Sequence, residues 1–132
     1  MKPKIILASG PVIVEDGKVL LDEHGDTDYW KFCGGTVKDL TTDLIENAKG
    51  EAREEVGIEI EILDEIPYIF YTTKEQEHGK VDVVVAHFLA RRVGEITPGE
   101  DIRDWTWLPL EGIEKEKLAP SILPALKHFK FL

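Results

Sequence analysis

The sequence predicts a layered, mixed α/β domain. Apolar residues alternate with a strand period near the start, switch to a helical period over residues 43–56, and return to alternation over 58–93. A last apolar strand then runs into helical sequence. Nothing in the 132 residues reads as a repeat, linker or low-complexity tract, so one domain, 1–132, is expected. Strands, a helix, more strands and a closing helix fit layers around a sheet.

The elements can be justified in order. The opening "MKPKIILASGPVIVED" has lysines before an apolar run, as a signal peptide would. Gly10-Pro11 and the acidic pair Glu15-Asp16 favour a first strand instead. "PVIVEDGKVLL" places two apolar runs around Asp16-Gly17, a hairpin signal. A polar connection leads to a short aromatic strand, "YWKFCGG", and "TVKDLTTD" reads as a loop. The helix begins near Asp43, with Glu46 three residues on as an acidic variant of the capping box, and Gly57 stops it. "IEIEIL" (58–63) is a half-buried strand. "IPYIFYTT" (66–73) and "KVDVVVAHFLARRV" (80–93) are two more, joined across "KEQEHG". The second is apolar on both faces, as a central strand would be. "WTWLPL" (105–110) is the last strand, and the remainder reads as one broken helix or two short ones.

Composition narrows the function. The chain is 42% hydrophobic, enough for a core, and its formal net charge is −10 from 26 acidic and 16 basic residues. Such a surface repels nucleic acid and anionic membranes, which are bound by clustered Lys and Arg. A small anionic substrate remains open if a metal cation mediates its binding. Cys33 is the single cysteine, so no internal disulfide forms, consistent with a reducing, cytoplasmic setting. No segment is long and apolar enough to span a bilayer as a helix.

The helix carries the unusual chemistry. On a wheel of about 100° per residue, Leu44, Ile45, Ala48, Ala52 and Val56 form the buried stripe, with Glu46, Lys49 and Arg53 opposite. Glu51 and Glu55 stack four apart, Glu54 lies beside Glu51, and Glu55 falls inside the apolar arc. A solvated acidic face explains Glu46, Glu59 and Glu61 but not Glu55, because an unpaired buried carboxylate is costly. Converging carboxylates call for a cation, and hard oxygen ligands suit Mg²⁺ or Mn²⁺. A zinc reading has little support, since His24, His78, His87 and His128 are scattered and there is no Cys pair. Gly50 costs the helix about 1 kcal/mol relative to Ala, and its bare backbone would let a substrate or a neighbouring chain approach.

These residues resemble the Nudix box, G-x5-E-x7-R-E-U-x-E-E-x-G-U, where U is a bulky aliphatic residue. "GGTVKDLTTDLIENAKGEAREEVGI" follows it over 34–58: Gly35 matches the opening glycine, Glu51 the glutamate of the Arg-Glu pair, Glu54-Glu55 the double glutamate, and Gly57-Ile58 the end. "YWKFCGG" and "DWTWLPLEGI" resemble the family's flanking strands, so the likeness covers nearly the whole chain. There are departures. One extra residue separates Gly35 from Glu51, Thr41 or Thr42 stands near the place of the loop glutamate, Gly50 replaces the arginine, and Cys33 replaces the usual proline. In the family that arginine is thought to brace the loop through the same glutamate, so the two losses form one change. Arg53, three residues on, is a candidate substitute.

The resemblance implies an α/β/α sandwich with a mixed β-sheet between helices, and Mg²⁺-dependent hydrolysis of a nucleoside diphosphate linked to another group. It implies Glu51, Glu54, Glu55 and the Gly34 carbonyl as metal contacts. Glu54 doubles as candidate base, and Glu100, or second Asp104, is a further acidic catalytic residue. Gly35 and an aromatic from Tyr29, Phe32, Tyr68, Phe70 and Tyr71 are candidates to contact substrate, with Phe32 and Tyr71 preferred. His87 reads as a satisfied core histidine. Many family members are homodimers, so a homodimer is open. The competing readings are a non-catalytic Nudix domain that binds a nucleotide or a protein, and a plain acidic interaction domain.

Overall fold

The computed structural model of the protein describes residues 4–25, 27–39 and 41–132. Residues 1–3 of the opening run lie outside them, as do Asp26 and Leu40 of the two loops.

The opening run forms β1 (Ile5–Val12). Gly10 and Pro11 lie inside it, paired with β7 (Gly79–Val93) in a parallel register, Gly10 opposite His87. Gly10 is required by a close approach: a Cβ there would lie 2.0 Å from the Cys33 carbonyl oxygen. The Asp16-Gly17 hairpin joins β2 (Val14–Glu15) to β3 (Lys18–Glu23). β4 (Gly35–Thr36) pairs with β1, and β5 (Glu59–Ile62) alternates as expected, with Glu59 and Glu61 exposed and Ile60 buried. β6 (Tyr68–Gln76) extends through the first half of "KEQEHG" and pairs with β7 down to Gln76 opposite Gly79. β8 (Asp104–Pro109) pairs with β3.

The described strands form two sheets. One runs β4-β1-β7-β5, with β6 also paired to β7, and the other runs β2-β3-β8. The long β7 holds the first together, with β1 on one side and β6 then β5 on the other. Helix α1 (Leu44–Val56) covers one face. Its start is capped by the Asp43 carboxylate, which accepts from the Glu46 N–H at 2.7 Å, and Gly57 closes it in a left-handed conformation. Ala48, Ala52 and Val56 pack with Ile58, Ile60, Ala86 and Phe88 in one core. The C-terminal sequence forms a 3-10 turn at Ile113–Lys115 and then α2 (Ile122–His128), whose Ile122, Ala125 and Leu126 join Val12, Val19, Leu21 and Phe32 in a second core. The arrangement is an α/β sandwich with helices on separate faces. No helix among the described residues is long and apolar enough to cross a membrane.

The aromatic strand expected at "YWKFCGG" is not continuous. Its backbone makes one antiparallel bridge, Asp22 with Lys31, and one parallel bridge, Trp30 with Leu118. Lys31 and Asp22 exchange two bonds at 2.8 Å, while Trp30 bonds Lys117 and Ala119 on its other side. The segment is stitched between two neighbours for a single rung each, and the chain then turns at the double glycine into β4.

Candidate active site

The pleat of β7 and the pitch of α1 decide which side chains meet. Val83, Val85 and His87 point to one face of the sheet, beside Ile6 and Ala8 of the parallel β1. They line a cavity of about 270 Å³ that Phe32, Gly34, Gly35, Lys74 and Ser121 complete. Adjoining it is an open cleft of about 750 Å³, where Glu51, Glu54 and Glu55 of α1 face Gly34, Gly35, Lys38, Lys74 and Glu100. His24, Lys31, Gly34, Gly35, Thr36 and Lys74 belong to both.

The residues singled out by the sequence divide into those the fold brings together and those it leaves apart. Glu51, Glu54, Glu55, Glu100, Gly34 and Gly35 share the cleft, and Phe32 and Gly35 line the adjoining cavity. Tyr71 is not with them. It sits opposite Val84 on β7, one residue out of phase with His87 and Val85, so it faces the other side of the sheet. It is 61% exposed there, and its hydroxyl donates to Asp82 at 2.7 Å. Asp104 does not line the cleft; its carboxylate accepts from the Trp105 N–H. Arg53 cannot stand in for the missing arginine, because it pairs with Glu59 at 2.7 Å on the exposed face of α1. No neighbouring chain approaches Gly50: a Cβ there would meet nothing within 4 Å among the described residues. The close approach belongs instead to Gly35, where a Cβ would fall 2.6 Å from the Glu51 carboxylate.

Glu55 is the most perturbed of the three glutamates. It is 9% exposed, and its Oε1 accepts from the Gly34 N–H at 2.9 Å. Burial, reinforced by the Asp22 carboxylate, pushes its pKa from 4.5 up to about 8, against the opposing pull of His24 and the Gly34 N–H. Its Oε2 has no hydrogen-bond partner among the described residues. Glu51 is also held above the usual carboxylate range, by burial first and by the neighbouring Glu54 second. The helix therefore gathers three carboxylates at one cleft, and a divalent cation fits the donor set.

Several groups at the site escaped the sequence reading. Asp22, at 1% exposed, and His24 stand over Glu55, with His24 Nδ1 2.5 Å from Asp22 Oδ1 and 3.5 Å from Glu55 Oε2. Burial pulls the His24 pKa down, but the Asp22 hydrogen bond and the nearby carboxylates outweigh it, and the net shift is upward. Lys74 lies in "KEQEHG", which reads from sequence as a connection. Strand parity could have found it, since it lies two residues beyond Thr72 on the face that Tyr68 and Phe70 share with His87. His87 is buried as expected but not satisfied: neither ring nitrogen has a hydrogen-bond partner among the described residues, and burial lowers its pKa to about 4. It packs between Phe32, 5.1 Å between ring centroids, and Tyr68, 6.3 Å.

Fold and cleft together define a class: a mixed α/β domain with carboxylates from one helix facing an open cleft. The NUDIX domain family matches residues 6–129, and the chain belongs to that family. Among solved structures it is similar to a NUDIX hydrolase from Nitrosomonas europaea (18% identity, 97% of this chain and 88% of that one, TM-score 0.78). It is also similar to the E. coli ORF135 protein (25%, 96% and 89%, 0.69) and to a C. elegans Ap4A hydrolase (21%, 94% and 94%, 0.71). A comparison with curated proteins gives no match.

Proposed function

We propose that the chain is a Mg²⁺- or Mn²⁺-dependent pyrophosphohydrolase of the cytoplasm, cleaving a nucleoside diphosphate linked to another group. The carrying observation is the convergence of Glu51, Glu54 and Glu55 on one cleft beside a partly apolar cavity. Glu51 and Glu55, with the Gly34 backbone, would hold the cation, which when bound supplies positive charge to phosphate oxygens and acidifies water. Glu54, exposed in the cleft, accepts the proton of the attacking water, and Glu100 lines the same cleft, following Gly99, whose N–H donates to the Glu55 carbonyl. Lys38 and Lys74 supply fixed positive charge for the remaining phosphate oxygens in an otherwise acidic protein. The cavity lined by Phe32, Val83, Val85 and His87 takes the nucleoside, and the His87 ring offers a hydrogen-bonding group to the base. A small nucleotide as substrate agrees with the Ap4A-hydrolase description of one structural relative.

Turnover should be measured with Mg²⁺ or Mn²⁺ on nucleoside triphosphates, ADP-ribose, sugar nucleotides and dinucleoside polyphosphates, with Glu55→Gln as control. Absence of turnover on every substrate, or turnover unchanged in Glu55→Gln, sinks the enzyme reading. The rival is a non-catalytic domain that binds a nucleotide or a protein. It is favoured by Gly50 in the arginine position and by the engagement of Arg53 elsewhere. It would be supported by nucleotide binding without hydrolysis.

A further inference from the structure

The glutamate cleft leaves one cluster unexplained. Asp22, Cys33 and Glu55 each place a ligand atom so that all three lie within 4.8 Å of one another. They come from distant parts of the chain: Asp22 from the buried run of β3, Cys33 from the turn before β4, and Glu55 from the last turn of α1. Asp22 and Cys33 are 1% and 3% exposed. His24 Nδ1 lies beside this cluster without belonging to it, 2.5 Å from Asp22 Oδ1 and 3.5 Å from Glu55 Oε2.

Two acidic side chains and a thiol are a poor choice for filling a core. Buried polar atoms are ordinarily hydrogen-bonded, and a buried carboxylate oxygen without a partner is strongly disfavoured. Here Asp22 Oδ2 and Glu55 Oε2 are both buried and both without a partner among the described residues. His24 answers only one oxygen of Asp22 at hydrogen-bonding distance and stands farther from Glu55. The protein thus brings two carboxylates and a thiol together at one buried place.

We infer that Asp22, Cys33 and Glu55 form a site for a borderline transition-metal cation such as Zn²⁺ or Co²⁺, with His24 holding the Asp22 carboxylate from outside. The donor set decides the class. A thiolate ligand selects these ions, whereas Mg²⁺ takes oxygen ligands and keeps several waters. Binding releases the Cys33 thiol proton, and the proton that Glu55 carries, to solvent and gives the two carboxylates a positive partner. A cation here ties β3 to the end of α1. It also competes for Glu55 with the Mg²⁺ proposed in the adjoining cleft. The site itself does not depend on whether the chain hydrolyses nucleotides.

Titrating metal-stripped protein with Co²⁺ tests this without an activity assay. The expected result is about one equivalent bound tightly, with a thiolate-to-Co²⁺ charge-transfer band in the near ultraviolet. Zn²⁺ should abolish the band, and a large excess of Mg²⁺ should not. Cys33→Ala should lose the band. Asp22→Asn should weaken Co²⁺ binding at least about tenfold. The near-isosteric Cys33→Ser, checked for folding by circular dichroism, should bind without the band. Glu54→Gln, outside the cluster, should keep it. A wild-type protein with no charge-transfer band overturns the inference. So does Co²⁺ binding of equal affinity and spectrum in Cys33→Ser and Asp22→Asn. Loss of nucleotide turnover with the band intact would count against the hydrolase reading alone.

Discussion

Glu55 should make the metal-free protein lose stability as pH rises. Its folded pKa is about 8 against an ordinary value of 4.5. As pH climbs past the lower value, the unfolded chain releases the Glu55 proton while the folded chain keeps it. The unfolded state then binds fewer protons, so stability declines until pH passes the folded pKa. The slope approaches about 1.4 kcal/mol per pH unit, which gives a loss of about 2.5 kcal/mol between about pH 5 and pH 7. For a chain of this size that lowers Tm by about 5–12 °C. The groups facing Glu55 are Asp22, His24, Glu51 and Cys33. His24, with its raised pKa, acts in the same direction: its contribution is complete below 6.5 and is lost as pH rises through its folded value. The assay is thermal melting in a chelator at several pH values, comparing wild type with Glu55→Gln. The variant keeps an oxygen to accept the Gly34 N–H. The wild-type profile should fall more steeply, and Mg²⁺ or Mn²⁺ should recover stability at the upper end in wild type alone. Parallel profiles would refute the reasoning, because the burial of Glu55 would then carry no linked proton.

Three further outcomes follow from the glycines. Gly35→Ala places a methyl 2.6 Å from the Glu51 carboxylate, so metal-dependent turnover should fall by about tenfold or more as the carboxylate is displaced, measured by initial rates. Gly50→Ala meets nothing within 4 Å among the described residues and should stabilise the protein by about 1 kcal/mol in urea unfolding. Gly10→Ala drives a methyl to 2.0 Å from the Cys33 carbonyl oxygen, and should destabilise by about 3 kcal/mol or prevent folding, seen as a lost or shifted urea transition.

Local chemistry determined a good deal of this protein from sequence alone. The Asp16-Gly17 turn, the Asp43 cap, the Gly57 stop and the alternation of Glu59 to Ile62 are short-range features, and each occurs where its residues require it. The helical period likewise placed Glu55 inside the apolar arc, where the structure has it 9% exposed. Tertiary packing decided the rest. Tyr71 left the site because strand register sets which face a side chain takes, and register is fixed by the partner strand β7. "YWKFCGG" reads as a strand but is bridged for one rung on each side, by Asp22 and by Leu118, which no local pattern announces. The company of Glu55 was invisible for the same reason. Asp22, His24 and Cys33 are 33, 31 and 22 residues away in the chain and show no common spacing. Only the meeting of β3, the turn before β4 and α1 brings them beside Glu55, because a periodic pattern reports the face of an element and not what the fold lays against it.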